Sequence, residues 1–320
     1  PAIDVLGPVL VNGQGERIRL RGVNRSGTEY MCVQGHGIFD GPVDDAAIEA
    51  MVSWEINVVR VPLNAQCWLG VNGIDPASSG QAYRDSIAAF VYRLNDHGLV
   101  AILDLHWSAP DTVLADGQRP MPDRDHVPAF WAQVAKRFGG NRSVVLDLFN
   151  EPHPDGNSDS PEAWRCWRDG GTCAGLDYQA AGMRELVDTV RAAGAENVIL
   201  LAGVRYASSL LRWLEYAPDD PLDRLAASWH VYSFSGCSTR HCWDTQIDPV
   251  TDAVPVVLGE FGQDDGGSDF VTGLMDWMDA RDGNYLAWVW NVWGSPLDLI
   301  RSYNGIPTEY GATFHDRFTR

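Results

Sequence analysis

Val100-Ala101-Ile102-Leu103-Asp104-Leu105-His106-Trp107 is the stretch on which the reading of this chain turns. Its first four residues are apolar without interruption, as in a strand buried on both faces, and its tail becomes polar and aromatic. Val254-Pro255-Val256-Val257-Leu258 repeats the apolar half and runs into Gly259-Glu260. Working outward, strand-like runs fall at 20–24, 57–62, 100–106, 144–150, 197–202, 226–232, 254–260 and 285–291. Helical periodicity falls between them, at 43–54, 81–97, 126–138, 178–193, 206–214, 268–281 and 308–319, with a weaker pattern near 243–250. Alternation at this spacing signals parallel βαβ units, and eight of them close most naturally into an α/β fold of the (β/α)8 barrel type. An open doubly wound sheet is the competitor, but no strand is followed by GxGxxG. No linker, repeat or composition break divides the chain, so residues 1–320 read as one domain. Residues 1–19 belong to it as an N-terminal β-hairpin, predicted to turn at Asn12-Gly13-Gln14-Gly15 and to plug or flank the barrel.

The charge balance narrows the partners. Lys and Arg number 24 against 43 Asp and Glu, a net of −19, and such a field repels phosphate backbones and anionic lipid surfaces. Nucleic acid and membrane are therefore not expected as partners, and no run reaches the roughly 18 apolar residues of a membrane span. Six cysteines include two close pairs, Cys166 with Cys173 and Cys237 with Cys242, which leaves Cys32 with Cys67. Without CxxC or Cys/His zinc spacing, disulfides are favoured over metal, and six buried thiols are the plainer alternative. Together with an opening at Pro1 that carries no leader-like segment, this leads to the expectation of a secreted protein, taken as a monomer.

Polar residues collect where chemistry collects in such barrels, at the C-terminal ends of the strands. Arg60 lies near the end of the second run and His106 ends the third. Asn150-Glu151-Pro152 follows the fourth, His230-Val231-Tyr232 ends the sixth, Glu260 the seventh, and Trp288-Val289-Trp290-Asn291 the eighth. Glu151 and Glu260 sit on opposite sides of the ring, so their side chains can converge. Two facing carboxylates are the machinery of glycoside cleavage: about 5 Å apart they serve retention, and 6.5–9.5 Å apart they admit a water and serve inversion. A metallohydrolase would want His-x-His or several histidines at strand ends, so no metal is expected.

Asn150-Glu151-Pro152, His230-x-Tyr232, Leu258-Gly259-Glu260-Phe261-Gly262, Arg60 before Val61-Pro62, and His106 together resemble glycoside hydrolase family 5. Glu29 and His36-Gly37-Ile38-Phe39 resemble its bacterial endocellulase branch. The resemblance implies a cofactor-free retaining hydrolase of β-linked polysaccharide or oligosaccharide, foremost an endo-β-1,4-glucanase. A β-mannanase or another β-glycosidase of the family, exo-acting or glycoside-specific, is the alternative, with a non-catalytic carbohydrate-binding relative behind it. It implies Glu151 as acid/base and Glu260 as nucleophile. Arg60, His106, Asn150, His230 and Tyr232 would be substrate-binding and orienting residues, with Trp288 or Trp290 as the aromatic partner on the eighth strand; His36 and Trp107 would extend the substrate site.

The chain holds 13 tryptophans. Trp54, Trp131 and Trp277 fall on helical patterns and are expected in the core. Trp107, Trp164, Trp167, Trp243, Trp288, Trp290 and Trp293 are expected at the active face, where rings can stack on sugars. The segment 152–176, carrying two of them, is expected to be a loop forming one cleft wall.

Overall fold

In the computed structural model, which describes residues 1–320, a closed barrel of eight parallel strands carries the chain. An antiparallel hairpin, β1 (Ile3–Leu6) and β2 (Val9–Asn12), precedes it. The barrel strands are β3 (Arg21–Asn24), β4 (Val58–Asn64), β5 (Val100–Trp107), β6 (Val144–Asp147), β9 (Ile199–Ala202), β10 (Leu225–Tyr232), β11 (Val256–Gly262) and β12 (Asn284–Ala287), which pairs back with β3. Two small antiparallel pairs decorate the loops: β7 (Gly170–Thr172) with β8 (Gln179–Ala181), and β13 (Ile300–Ser302) with β14 (Ile306–Pro307).

Helices cover the barrel where periodicity places them, at Asp45–Val52, Gly80–Asp96, Val127–Phe138, Met183–Ala192, Asp269–Asp279 and Glu309–Phe318. Local chemistry starts several of them. Asp44 and Thr308 each accept a backbone N–H of the first turn, satisfying a donor that the helix itself leaves unpaired. Their apolar faces and the outward faces of the strands form one continuous core of 75 buried residues. The sealed bottom of the lumen is a separate cluster, in which Leu20, Val58, Val100, Ile102, Val145, Leu200, Ala226, Val257 and Leu286 meet Ile3 and Leu10 of the hairpin. The hairpin is thus a plug. Its strands turn at Gly7-Pro8 rather than at Asn12–Gly15; the latter makes a second turn that brings Arg17 back to Val11.

Other departures lie in the loops. The helix expected at 206–214 is confined to Trp213–Tyr216, because Arg205, Tyr206 and Ala207 all adopt positive φ, at 60°, 58° and 56°. The helix expected at 178–193 starts only at Met183, since residues 179–181 pair as β8. Segment 152–176, expected to be a loop, folds a nine-residue helix at Pro161–Asp169, capped by Ser160 and started by proline. All three expected cysteine pairs are bonded: Cys32–Cys67, Cys166–Cys173 and Cys237–Cys242. No helix is long and apolar enough to cross a membrane.

Candidate active site

Alternation along the strands lifts polar side chains into the lumen directly above the apolar layer. Val58 is followed two residues on by Arg60, Ile102 by Asp104 and then His106, and Val145 by Asp147. Arg60 is wholly buried and is the hub of this layer. Its Nη1 donates to Glu260 Oε1 at 2.6 Å and Asn24 Oδ1 at 3.1 Å, its Nη2 to Asn150 Oδ1 at 2.9 Å, and its Nε to Asp147 Oδ2 at 3.0 Å. Nη2 also lies 3.0 Å from Asp104 Oδ1. Burial disfavours the guanidinium charge, but Asp104, Asp147 and Glu260 outweigh it and push its pKa up.

Glu260 reaches the lumen by an irregularity. Val257 faces inward and Leu258 outward, so plain alternation sends residue 260 outward too. The register with β10 instead steps from Trp229↔Leu258 to His230↔Glu260, leaving Gly259 as an extra residue. This bulge turns Glu260 inward. Tyr232 Oη donates to Glu260 Oε2 at 2.8 Å, so both carboxylate oxygens are held.

Glu151 enters from the loop after β6. Its Oε2 accepts from Gln118 Nε2 at 2.8 Å, and its Oε1 lies 3.1 Å from His230 Nδ1. Its side chain keeps 12% exposure against 5% for Glu260, so Glu151 is the carboxylate that opens onto the cleft. Burial raises its pKa, against the lowering pull of the Gln118 hydrogen bond. Burial, reinforced by the charge of Arg60, pushes His230 down to about 3, so that ring is neutral. His106 goes the other way: burial opposes its charge, but Asp104, 2.6 Å from Nδ1, raises it to about 9. The ring stacks on Trp288 with centroids 5.8 Å apart and planes 12° from parallel.

One oxygen of Glu151, one of Glu260 and a ring nitrogen of His230 lie within 4.8 Å of one another. That is the short class of carboxylate gap, below the 6.5–9.5 Å of an inverting pair. These three residues are also the one group spaced to ligate a cation, but both Glu260 oxygens and both Glu151 oxygens already have protein partners, and Arg60 supplies the positive charge. The carboxylates open into a cavity of 490 Å³, lined also by His106, Gln118, Tyr206, Tyr232, Phe234 and Trp288.

Arg60, His106, Asn150, Glu151, His230, Tyr232, Glu260 and Trp288 are therefore brought together. Other expectations need correction. Trp290 is fully buried and packs edge-on against Trp54 at 4.8 Å, because β12 ends at Ala287 and alternation no longer governs the residues after it. Trp164 and Trp167 lie on the helix at Pro161–Asp169, wholly buried, with Trp167 donating to Ala202 O at 2.8 Å. Trp243 is buried among Trp229 and Trp277. His36 stands exposed on its loop and does not line the cavity. Trp107 is half-buried and sits outside the cavity, where it and Trp293 flank Tyr30 at 6.4 and 6.2 Å. Of the seven tryptophans expected at the active face, three remain: Trp107, Trp288 and Trp293. Trp54, Trp131 and Trp277 are in the core as expected.

Sequence reasoning missed Asp104, Asp147, Asn24 and Gln118 as site residues. Asp104 was findable, since it precedes His106 by two on the same strand face. Gln118 lies in an irregular loop and carries no signal.

Residues 11–294 match the family described as Cellulase (glycosyl hydrolase family 5). Among curated proteins, the chain is 27% identical over 259 residues to Endoglucanase 1 of Ruminococcus albus, covering 73% of this chain and 60% of that one. It is 23% identical over 296 residues to Endoglucanase E-5 of Thermobifida fusca, covering 89% and 55%. The chain thus spans somewhat over half the length of these relatives. Among solved structures, the β-glucanase SdGluc5_26A of Saccharophagus degradans in complex with cellotetraose superposes with a TM-score of 0.74 at 22% identity, covering 99% of this chain and 93% of that one.

Proposed function

The chain belongs to glycosyl hydrolase family 5, and from that premise we propose that it is a retaining endo-β-1,4-glucanase with Glu260 as nucleophile and Glu151 as acid/base. The observation that carries this reading is the short gap between two carboxylates held in opposite ways. Glu260 is clamped by Arg60 and Tyr232. Both partners donate to the ionised form, which suits a group that must attack the anomeric carbon. Glu151 is partly open to the cleft and has its pKa raised by burial, which suits a group that must hold a proton for the departing oxygen. After the glycosyl-enzyme ester forms, the deprotonated Glu151 accepts a proton from the water that cleaves it.

The surrounding residues support the same division. Asn150 is held by Arg60 through its oxygen, and its buried Nδ2 has no protein partner. That amide is free to donate to a sugar hydroxyl beside the reacting carbon, a bond that strengthens in the transition state. Trp288 and His106 form a stacked pair lining the same cavity, on which the sugar ring can rest. The curated relatives named above are endoglucanases, and the Saccharophagus protein is a β-glucanase crystallised with cellotetraose. Both point to β-1,4-linked glucan as the substrate. Three disulfides favour folding in an oxidising, extracellular compartment.

The test is hydrolysis of a panel of soluble β-glucans and β-mannan, with the anomer of the first-formed product read by NMR. Release of β-configured cello-oligosaccharides is expected. Clear mannanase activity without glucanase activity overturns the substrate, and an α-anomer overturns the retaining mechanism. Glu260→Gln should lower kcat at least about 10³-fold on every substrate. Glu151→Gln should do so on polysaccharide but much less on aryl glycosides with activated leaving groups, which need no proton.

A further inference from the structure

His230 contacts the proposed acid/base through one ring nitrogen and buries the other without a partner. Nδ1 faces Glu151 Oε1 at 3.1 Å and Glu260 Oε2 at 3.9 Å. A nitrogen lone pair turned toward two carboxylates, one of them ionised, is repelled, so Nδ1 must carry the hydrogen. Burial keeps the ring neutral, so Nε2 carries a lone pair and needs a donor. Nε2 is buried and has no hydrogen-bond partner.

Ser228 lies two residues earlier on β10, on the same inward face, with 0% exposure, and its Oγ is likewise buried without a partner. Gly259, the extra residue of the β11 bulge, faces both. A Cβ built there would stand 2.8 Å from His230 Nε2 and 2.9 Å from Ser228 Oγ. The two unpaired atoms therefore both pack against Gly259, in a space so tight that only a glycine fits beside them, and a turn of the Ser228 hydroxyl about χ1 brings its hydrogen toward Nε2. Neither Asn24, which donates to Gly259 O, nor Arg60, whose nitrogens are spent on carboxylates and amides, offers a donor to that space.

We infer that Ser228 is a positioning residue: its hydroxyl supplies the hydrogen bond to His230 Nε2 that fixes the ring as the Nδ1–H tautomer. Nδ1–H then donates to Glu151 Oε1, making that oxygen the acceptor side of the carboxyl group. The acid proton is left on Oε2, the oxygen beside the cavity-lining Gln118, which keeps a lone pair to accept from that amide. With the opposite tautomer, Nδ1 would accept the Glu151 proton and turn it away from the substrate. The inference rests on Glu151 being the acid/base.

The experiment compares wild type with Ser228→Ala on a cello-oligosaccharide and on a dinitrophenyl cellobioside, whose leaving group needs no protonation. Alongside it, the ¹⁵N shifts of the His230 ring are read in both proteins, assigned with a His230→Gln variant. Ser228→Ala should lose about tenfold or more in kcat on the oligosaccharide and stay within about twofold on the activated substrate. Wild-type His230 should show a protonated Nδ1 and a bare Nε2, and the variant should show a tautomer mixture. Equal loss on both substrates, as a packing defect would give, or no loss on either, overturns the inference. So does a protonated Nε2 in wild type, a readout that stands even if the enzyme proves inactive on β-glucan. Wild type inert on both substrates while the ring reads as expected instead overturns the endoglucanase assignment.

Discussion

The lower and upper halves of the barrel lumen are built from the same strands and could hardly differ more. Below, Val58, Ile102, Val145 and Leu286 close against the N-terminal hairpin in a dry aliphatic layer. Two residues further along the same strands stand Arg60, Asp104 and Asp147, with Trp288 just past the end of β12. The side-chain period of a strand decides only which face a residue takes. Height along the strand decides whether it meets the plug or the cleft. The apolar floor matters to the chemistry because it denies water to the charges above it, so that Arg60 and its carboxylates compensate one another rather than being solvated.

Substitutions in the two layers should therefore fail in different ways. The largest effect is expected from Arg60→Met, which leaves Asp104, Asp147 and Glu260 facing one another without a cation. Loss of about 3–5 kcal/mol of stability and of all measurable turnover is expected; chemical denaturation and a glucan assay check it, and a folded, stable variant would show that these carboxylates are protonated instead. Ile102→Ala, one step below, should cost about 3 kcal/mol through a cavity, yet its kcat at a temperature where it is folded should match wild type. A kcat loss there would mean that the floor shapes the catalytic layer directly.

The two buried histidines of the upper layer give a pH signature that the lower layer lacks. His230 has a folded pKa of about 3, below its ordinary 6.5, so its contribution is complete above pH 6.5 and is lost as pH falls toward 3. His106, raised to about 9, contributes fully below 6.5 and loses that contribution as pH rises through 9. Thermal melting against pH should peak between these limbs, and His106→Gln should flatten the alkaline one. The smallest effect is expected from Gln118→Ala. Its amide hydrogen-bonds Glu151 and lowers that pKa, so the variant should move the alkaline limb of the kcat/KM profile upward. An unmoved limb would mean that Glu151 does not govern it.

Much of the barrel was legible because it depends on local pattern. Nearly continuous apolar runs marked several barrel strands and alternation with helical periodicity placed the rest, while two close cysteine pairs marked two bridges and left the third. The tryptophans misled for a physical reason: an indole stabilises a core and a sugar site by the same apolar face, so the residue type cannot say which it serves. Trp164 and Trp167 are buried because a short helix caps on Ser160 and turns them inward. The loops were least legible, since the left-handed run at Arg205–Ala207 is set by tertiary bonds, Tyr206 N to Pro152 O and His230 N to Ala207 O, rather than by glycine or proline.

By itself, then, the sequence determined the eightfold βα alternation, the two close disulfide pairs, and the set of polar residues at strand ends, because each follows from periodicity or short spacing. Only the tertiary structure decided that Glu260 faces inward at all. Alternation from Val257 points it away, and it is the extra residue Gly259, accommodated against Ser228 and His230 of the neighbouring strand, that rotates it toward Glu151 and sets the gap between the two carboxylates.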